Sequence, residues 1–303
     1  MQKNRMKRKI IYLINPISGT KGKEALLELI KKKTSERSID FEILPTVASG
    51  DYSFLEEKIA DEGVTDIGIC GGDGSVNQVV CSLAHTGLNF GIIPMGSGNG
   101  LALTAGIPRV SEKALDILFD GTPRLTDAFM VNKQFACMLC GLGFDASVAH
   151  EFATQPKRGL ATYASLTTKN FFSAKSYPFL IEANKLSFSS EAFFISVANS
   201  NQFGNNFTIA PRASLSDGLL DIVIVKKVAK PMLLFNVLKQ VLSGRIKKIE
   251  NSLDSPVIYF QTPELRIKNL EKAPLHIDGE PRESIADLRI KILPQHFKLI
   301  HAW

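Results

Sequence analysis

The sequence predicts an α/β domain built on a parallel sheet, followed by an antiparallel β-rich domain, and three observations carry that prediction. Up to about residue 126, apolar runs alternate one for one with helical patterns. Strands separated by single helices imply right-handed crossovers and parallel pairing. After Thr126 extended segments follow one another closely, with few helices between them, as antiparallel strands do. Glycine-marked turns also stand at the ends of successive strands in the first half, where open α/β sheets collect ligands.

In the first domain, 1–126, strands are predicted at Ile10–Ile14, Phe41–Leu44, Ile67–Cys70 and Phe90–Ile93. Helices lie between them: Lys23–Lys33, with Ala25, Leu26, Leu29 and Ile30 on one face; Tyr52–Asp61; and Val76–Ala84, with Val76, Val79, Val80 and Leu83 on one face. A further helix, Glu112–Phe119, is followed by Gly121-Thr122-Pro123. In the second domain, 127–290, strands are predicted at Asp127–Val131, Gln134–Leu142, Ala192–Ala198, Leu219–Val225, Val257–Phe260, Glu264–Ile267, Leu275–Ile277 and Leu288–Leu293. Helices interrupt them near Phe144–Phe152, Leu160–Phe171 and Pro231–Leu242. The last of these is amphipathic through Leu234, Phe235, Leu238, Val241 and Leu242, with Arg245, Lys247 and Lys248 after it. Packing on the sheet is expected of it, with a membrane-facing helix as the alternative.

The 303 residues are 45% hydrophobic and 22% charged, an ordinary globular composition. No stretch approaches the roughly 20 apolar residues of a spanning helix, and the basic start leads into a strand pattern rather than a signal-peptide core. A cytosolic protein is expected. Cys137 and Cys140 form C-x-x-C inside an apolar strand-like run, and Cys70 and Cys81 also fall in apolar segments; buried, inert thiols are expected of the C-x-x-C pair. The net charge is +6, and five of the first nine residues are cationic: Lys3, Arg5, Lys7, Arg8 and Lys9. Such a segment is either a solvated terminus or a contact with an anionic leaflet. His85, His150, His276, His296 and His301 show no metal spacing, and the single Trp with scattered aromatics makes no base-stacking platform. Nucleic acid is therefore not an expected partner.

Chemistry concentrates at the strand ends. They carry Asn15-Pro16-Ile17-Ser18-Gly19, then Thr46, then Gly71-Gly72-Asp73-Gly74-Ser75-Val76-Asn77, then Gly96-Ser97-Gly98-Asn99-Gly100. A strand, a glycine turn and a helix start bring backbone N–H groups against a phosphate. No Walker A loop is present: in Gly19-Thr20-Lys21-Gly22-Lys23 the spacing fails, and Glu24 stands where a hydroxyl should bind magnesium. Asp73 can face a polyphosphate only across a cation, which implies Mg²⁺. Ser75 and Asn77 can donate to phosphate oxygens. Farther on, Ser214-Leu215-Ser216-Asp217-Gly218-Leu219 reads equally as a hard-cation loop and as a hairpin turn. Leu275-His276-Ile277-Asp278-Gly279-Glu280 places two carboxylates around a glycine at a strand end. Transfer to an alcohol needs a proton acceptor; Glu280 is the candidate, with Asp278 supporting it, and a tight turn is the alternative.

Taken in order, Asn15-Pro16…Ser18-Gly19, the 71–77 and 96–99 turns, Asp217-Gly218-Leu219 and Asp278-Gly279-Glu280 resemble the bacterial lipid kinases. That family shares its catalytic domain with diacylglycerol, sphingosine and ceramide kinases. The resemblance runs from about Lys9 to Leu293. It implies a first domain similar to those of 6-phosphofructokinase and NAD kinase, a C-terminal β-sandwich, and a return of residues 291–303 to the first domain. It implies ATP as phosphoryl donor, with nucleotide contacts from Asn15, Thr46, Gly71, Gly72, Asp73, Gly74, Ser75, Val76, Asn77, Gly96 and Ser97. It also implies Mg²⁺ held by Asp217 with the carbonyls of Ser214 and Leu219, and Glu280 as catalytic base beside Asp73 and Asp278. The implied acceptor is a lipid hydroxyl at the inner membrane surface, diacylglycerol-like or a sphingoid base. A homodimer and an anionic membrane contact stand as open expectations. The chain departs from the family pattern with Ser75 where Thr is usual, Gly96-Ser97-Gly98-Asn99-Gly100-Leu101 where bacterial members often read Gly-Thr-x-Asn-Asp-Phe, and Gly204-Asn205-Asn206 in place of a glycine-rich stretch. The alternatives are an NAD kinase and a non-catalytic nucleotide- or lipid-binding regulator.

Overall fold

The computed structural model describes residues 8–16, 23–156, 159–184, 186–204, 207–227 and 255–303. The predicted Pro231–Leu242 helix, Ile17 to Gly22, Asn205 and Asn206 lie outside them. The chain divides into two compact units: the first runs to Thr126 and takes in His296–Trp303, and the second is Asp127–Gln295.

The first unit contains β1 (Lys9–Ile14), α1 (Lys23–Glu36), β2 (Asp40–Pro45), α2 (Glu56–Glu62), β3 (Asp66–Gly71), α3 (Asp73–Leu83), β4 (Asn89–Pro94), α4 (Gly100–Thr104) and α5 (Ser111–Asp120). Its sheet has the order β2-β1-β3-β4, every pair parallel. A last parallel strand comes from the far end of the chain, with Lys298 opposite Asn89 and Leu299 opposite Phe90. β1 and β3 are nearly all apolar and buried, as strands covered on both faces must be. Ile10, Tyr12, Cys70, Ile93, Leu115, Leu118 and Ile300 share the core on one face.

Two of the five N-terminal cations are used inside this unit. Arg8 binds Asp66 through two hydrogen bonds of 2.9 Å and donates to the carbonyls of Leu118 and Phe119; Lys9 pairs with Glu62. An anionic-membrane contact would therefore rest on Lys3, Arg5 and Lys7, outside the described residues. The third helix begins at Asp73 rather than Val76, because Gly72 is extended and the chain turns helical at the next residue.

The chain passes into the second unit along β5 (Thr122–Val131), then forms β6 (Gln134–Ala136), β7 (Leu139–Gly143), α6 (Phe144–Ala153), α7 (Leu160–Ser173), β8 (Tyr177–Ala183) and β9 (Leu186–Ala198). There follow β10 (Gln202–Gly204), β11 (Phe207–Thr208), β12 (Leu220–Lys226), β13 (Val257–Thr262), β14 (Glu264–Asn269), β15 (Leu275–Ile277), β16 (Glu280–Arg282) and β17 (Asp287–His301). Within the unit the order is β16-β15-β7-β9-β8-β14-β17, with β12 joining β9 to β13. Its pairs are antiparallel. Phe129, Leu142, Phe179, Ile195, Ile222, Ile267, Ile277 and Ile290 belong to its core.

Two departures from expectation in this unit have a visible physical cause. The single strand predicted over Gln134–Leu142 is broken at Cys137 and Met138, whose backbone N–H groups leave the ladder for the Asp278 carboxylate. β8 and the first half of β9 were not predicted. Ser187, Ser189, Ser190 and Glu191 hide the strand in the sequence, and pairing with β8 from Leu186↔Ala183 to Ala192↔Tyr177 supplies it. Cys70, Cys137 and Cys140 are buried, and burial raises the Cys70 and Cys140 thiols far above the ordinary range. Cys81 is exposed. Among the described residues no helix is long and apolar enough to cross a membrane.

Candidate functional site

In the first unit, β1, β2, β3 and β4 bring Asn15, Thr46, the 71–77 turn and the 96–99 loop to the carboxyl edge of one parallel sheet. The chain stays in register as it leaves the strands. Asn15 N–H donates to Cys70 O, Thr46 N–H to Ile14 O, and Met95 N–H to Gly71 O, all at 2.9–3.0 Å. The two glycine loops then touch backbone to backbone. A Cβ on Gly72 would stand 3.0 Å from Gly96 Cα, and one on Gly96 would stand 2.6 Å from Gly72 Cα. Larger residues would separate the loops. Asn15 Nδ2 donates to Ser75 Oγ at 2.9 Å, so the first strand end is tied to the start of α3.

Asp73 occupies the first turn of α3, where the helix dipole favours negative charge. Asn99 N–H donates to its Oδ2 at 2.7 Å. Asn99 also closes its own loop: Nδ2 donates to Gly96 O at 2.7 Å and Gly96 N–H donates to Oδ1 at 2.9 Å. It is buried and left-handed, with φ 57°. Arg109 caps the outside of this loop by donating to Ser97 O and Gly98 O at 3.3 and 3.0 Å. Beneath Thr46, fully buried Tyr52 accepts Val47 N–H through its hydroxyl, and burial raises that phenol. Asn99, Arg109 and Tyr52 support the edge without belonging to the predicted site; of the three, only the Asn99-Gly100 pair carried a turn signal in the sequence.

In the second unit, β15 and β16 are joined by a two-residue turn with Asp278 at φ 48° and Gly279 at φ 81°. Two consecutive left-handed residues are what a twisted hairpin requires. Asp278 was expected to support Glu280, and in the structure it anchors the turn that carries Glu280. Its carboxylate faces inward, 3% exposed, and accepts N–H bonds from Cys137, Met138 and Leu139, each at 2.9 Å. Those bonds occupy the oxygens and fasten the turn to the β6–β7 break. Glu280, two residues on, is exposed at the start of β16.

The 214–219 loop is held by a residue outside the predicted set. Asp127 Oδ2 accepts Gly218 N–H and its Oδ1 accepts Gln295 N–H, both at 2.7 Å, while Asp127 N–H donates to Leu215 O at 2.6 Å. A lone aspartate just before the apolar run Ala128–Val131 was its only sequence signal. Asp217 is exposed, and Leu219 N–H donates to its Oδ1 at 3.1 Å. Partial burial raises the Asp217 carboxyl, the Asp127 charge adds to this, and the Leu219 N–H offsets it. Nearby Asp221 is buried and pushed up to about 7, chiefly by burial and further by Asp217, despite the bonds it accepts from Tyr259 and Gln261. Asp217 and Asp221, both raised, are carboxylates of the kind a hard cation takes. The donor set expected for that ion is one carboxylate, Asp217, with the carbonyls of Ser214 and Leu219. Among the described residues no three His, Cys, Asp or Glu side chains cluster as metal ligands.

A parallel α/β unit with this strand edge and an antiparallel sandwich unit together define a two-domain kinase fold. Residues 9–131 match the family described as the diacylglycerol kinase catalytic domain, and residues 139–301 match the YegS C-terminal NAD kinase beta sandwich-like domain. The chain belongs to this YegS-like lipid kinase family. It is 29% identical over 281 residues to a diacylglycerol kinase of Bacillus subtilis, covering 91% of this chain and 90% of that one. It is 28% identical over 257 residues to a protein of Shewanella frigidimarina named "Probable lipid kinase YegS-like", covering 82% and 79%. A crystal structure of a diacylglycerol kinase from Bacillus anthracis superimposes with a TM-score of 0.74 at 21% identity, over 99% of this chain and 98% of that one; at that identity the likeness speaks for the fold. These relatives do not favour the NAD kinase alternative.

Proposed function

We propose that this lipid kinase transfers the γ-phosphoryl group of ATP to the hydroxyl of a diacylglycerol-like lipid, with a sphingoid base as the second candidate acceptor. The observation that carries the proposal is the first unit's strand edge. Glycines at 72 and 96 let the backbones of two loops touch, and the N-terminus of α3 opens beside them with Asp73 in its first turn. Unpaired N–H groups at a helix start bind phosphate. Asn15, Thr46, Gly71, Gly72, Asp73, Gly74, Ser75, Val76, Asn77, Gly96 and Ser97 are the proposed nucleotide contacts. Asp73 would hold the nucleotide's Mg²⁺, which supplies charge neutralisation on the triphosphate when bound. A second Mg²⁺ would be held by Asp217 with the carbonyls of Ser214 and Leu219. Glu280, exposed on an anchored turn, accepts the proton that leaves the lipid hydroxyl.

The test is incubation of the full chain with labelled ATP and, separately, diacylglycerol vesicles, a sphingoid base and NAD. Labelled phosphatidic acid is the expected product. Label in the sphingoid base alone changes the acceptor, and label in NAD alone overturns the reading. E280Q should cut transfer by about 10²- to 10⁴-fold while ATP affinity stays within a few-fold. No incorporation into any acceptor by the wild-type chain, with ATP still bound, would favour a non-catalytic regulator.

A further inference from the structure

Beside the Glu280 turn lies a buried histidine–aspartate pair that the proposed chemistry leaves unused. His276, on β15, is 3% exposed, and Asp145, in the first turn of α6, is 7% exposed. His276 Nε2 stands 3.3 Å from Asp145 Oδ2. The other carboxylate oxygen accepts Ala146 N–H at 2.8 Å. A carboxylate accepts and does not donate, so the proton of a neutral imidazole belongs on Nε2 and the lone pair on Nδ1. That lone pair has its own partner: Gly279 N–H donates to His276 Nδ1 at 3.3 Å. One ring therefore links α6 to the second residue of the turn.

The surroundings are shaped for this pair. On β7, Gly141 leaves room that any Cβ would take, since one built there would fall inside van der Waals contact of Asp145 Oδ2 and His276 Nε2. The two anchors of the turn also divide the work. The Asp278 carboxylate grips the turn's first residue through the 137–139 backbone. His276 grips the N–H of its second residue, one peptide before Glu280. Without the second grip the Gly279–Glu280 peptide keeps the φ freedom of glycine.

We propose that His276, held in its Nε2-protonated form by Asp145, is a positioning residue for Glu280: its Nδ1 captures Gly279 N–H and aims the base. This rests on the reading of Glu280 as proton acceptor. A misplacement of about 1 Å at a reacting group can cost roughly 10²-fold in rate, which sets the size of the expected effect.

Two amide replacements separate the ring nitrogens. H276N keeps an acceptor near the position of Nδ1, whereas H276Q places its amide near Nε2 and leaves Gly279 N–H unmatched. Expected is a kcat loss of about 10- to 100-fold in H276Q, with KM for ATP within about threefold, and activity within a few-fold of wild type in H276N. Gly279 amide exchange should quicken in H276Q and not in H276N. In the wild-type chain, ¹⁵N spectra of the His276 ring should show Nε2 protonated and Nδ1 bare, a readout that needs no variant to fold. A protonated Nδ1, or equal kcat in the two variants, overturns the positioning role. Full transfer by E280Q overturns the base assignment and the positioning role with it. If E280Q is inactive while H276Q turns over like wild type, only the positioning role falls.

Discussion

Two aspartates beside glycines, one in each unit, show how the same local chemistry is put to opposite use. Asp73 follows Gly72 and enters a helix; it is half-buried, and Asn99 N–H meets one of its oxygens. Asp278 precedes Gly279 in a hairpin turn and is buried, with three backbone N–H groups on its carboxylate. In the first, the negative charge stays at an open strand edge. In the second, the charge is consumed by the scaffold, and the residue that faces outward is Glu280. The fold aims different groups at the two carboxylates: the backbone N–H groups of 137–139 at Asp278, and the Asn99 N–H at Asp73.

The largest effect should come from breaking the anchor. Asp278→Ala leaves three buried N–H groups without an acceptor, each at about 1–3 kcal/mol. A drop of roughly 10 °C or more in melting temperature is expected; an unchanged melt would erase the distinction between the two aspartates. Asp73→Asn keeps the shape and an acceptor for Asn99 but removes the charge. Its kcat should fall by about 10²- to 10³-fold, while the melting curve stays close to wild type. A large loss of stability instead would place Asp73 with Asp278 as a scaffold residue.

The contrast extends to two buried histidines. Both ring nitrogens of His276 have partners, whereas among the described residues His301 Nδ1 has none and its Nε2 lies 3.5 Å from Thr126 Oγ1. Burial first, and Arg124 second, push His301 down to about 4. Its pKa is thus below the roughly 6.5 of the unfolded chain. The stability linked to its neutral form is complete above about pH 6.5 and is lost as pH falls towards 4, by at most about 3 kcal/mol. Thermal melts from pH 7 to 4 should be flatter for His301→Gln than for wild type; parallel slopes would assign the acid sensitivity elsewhere. The smallest effect is expected from Gly72→Ala, whose added Cβ presses on Gly96 Cα and parts the two loops. Calorimetry should show ATP bound roughly tenfold more weakly, about 1.4 kcal/mol, with little change in stability.

Much of the first unit was legible because its signals are local. A buried parallel strand reads as a continuous apolar run, and a tight strand-to-helix turn demands glycine. The positions of Asn15, Thr46, Gly71 and Gly96 at strand ends followed from those two rules. The second unit was less transparent. The polar first half of β9 is a strand because β8 pairs with it, and Cys137 and Met138 leave their ladder for a carboxylate about 140 residues later. Asp127 carried no motif at all, yet it holds Gly218 and Gln295.

By itself, then, the sequence determined the two-part architecture, the order of motifs along it and the family to which they belong. These depend on periodicity and on backbone conformations that each residue selects for itself. The tertiary structure alone decided the roles of side chains that look alike in the chain: Asp278 as anchor, Asn99 as the seal of a loop, His276 as a link between Asp145 and Gly279. Each role is a hydrogen bond fixed by packing, and whether a carboxylate or an imidazole meets one depends on donors brought near it from distant parts of the chain.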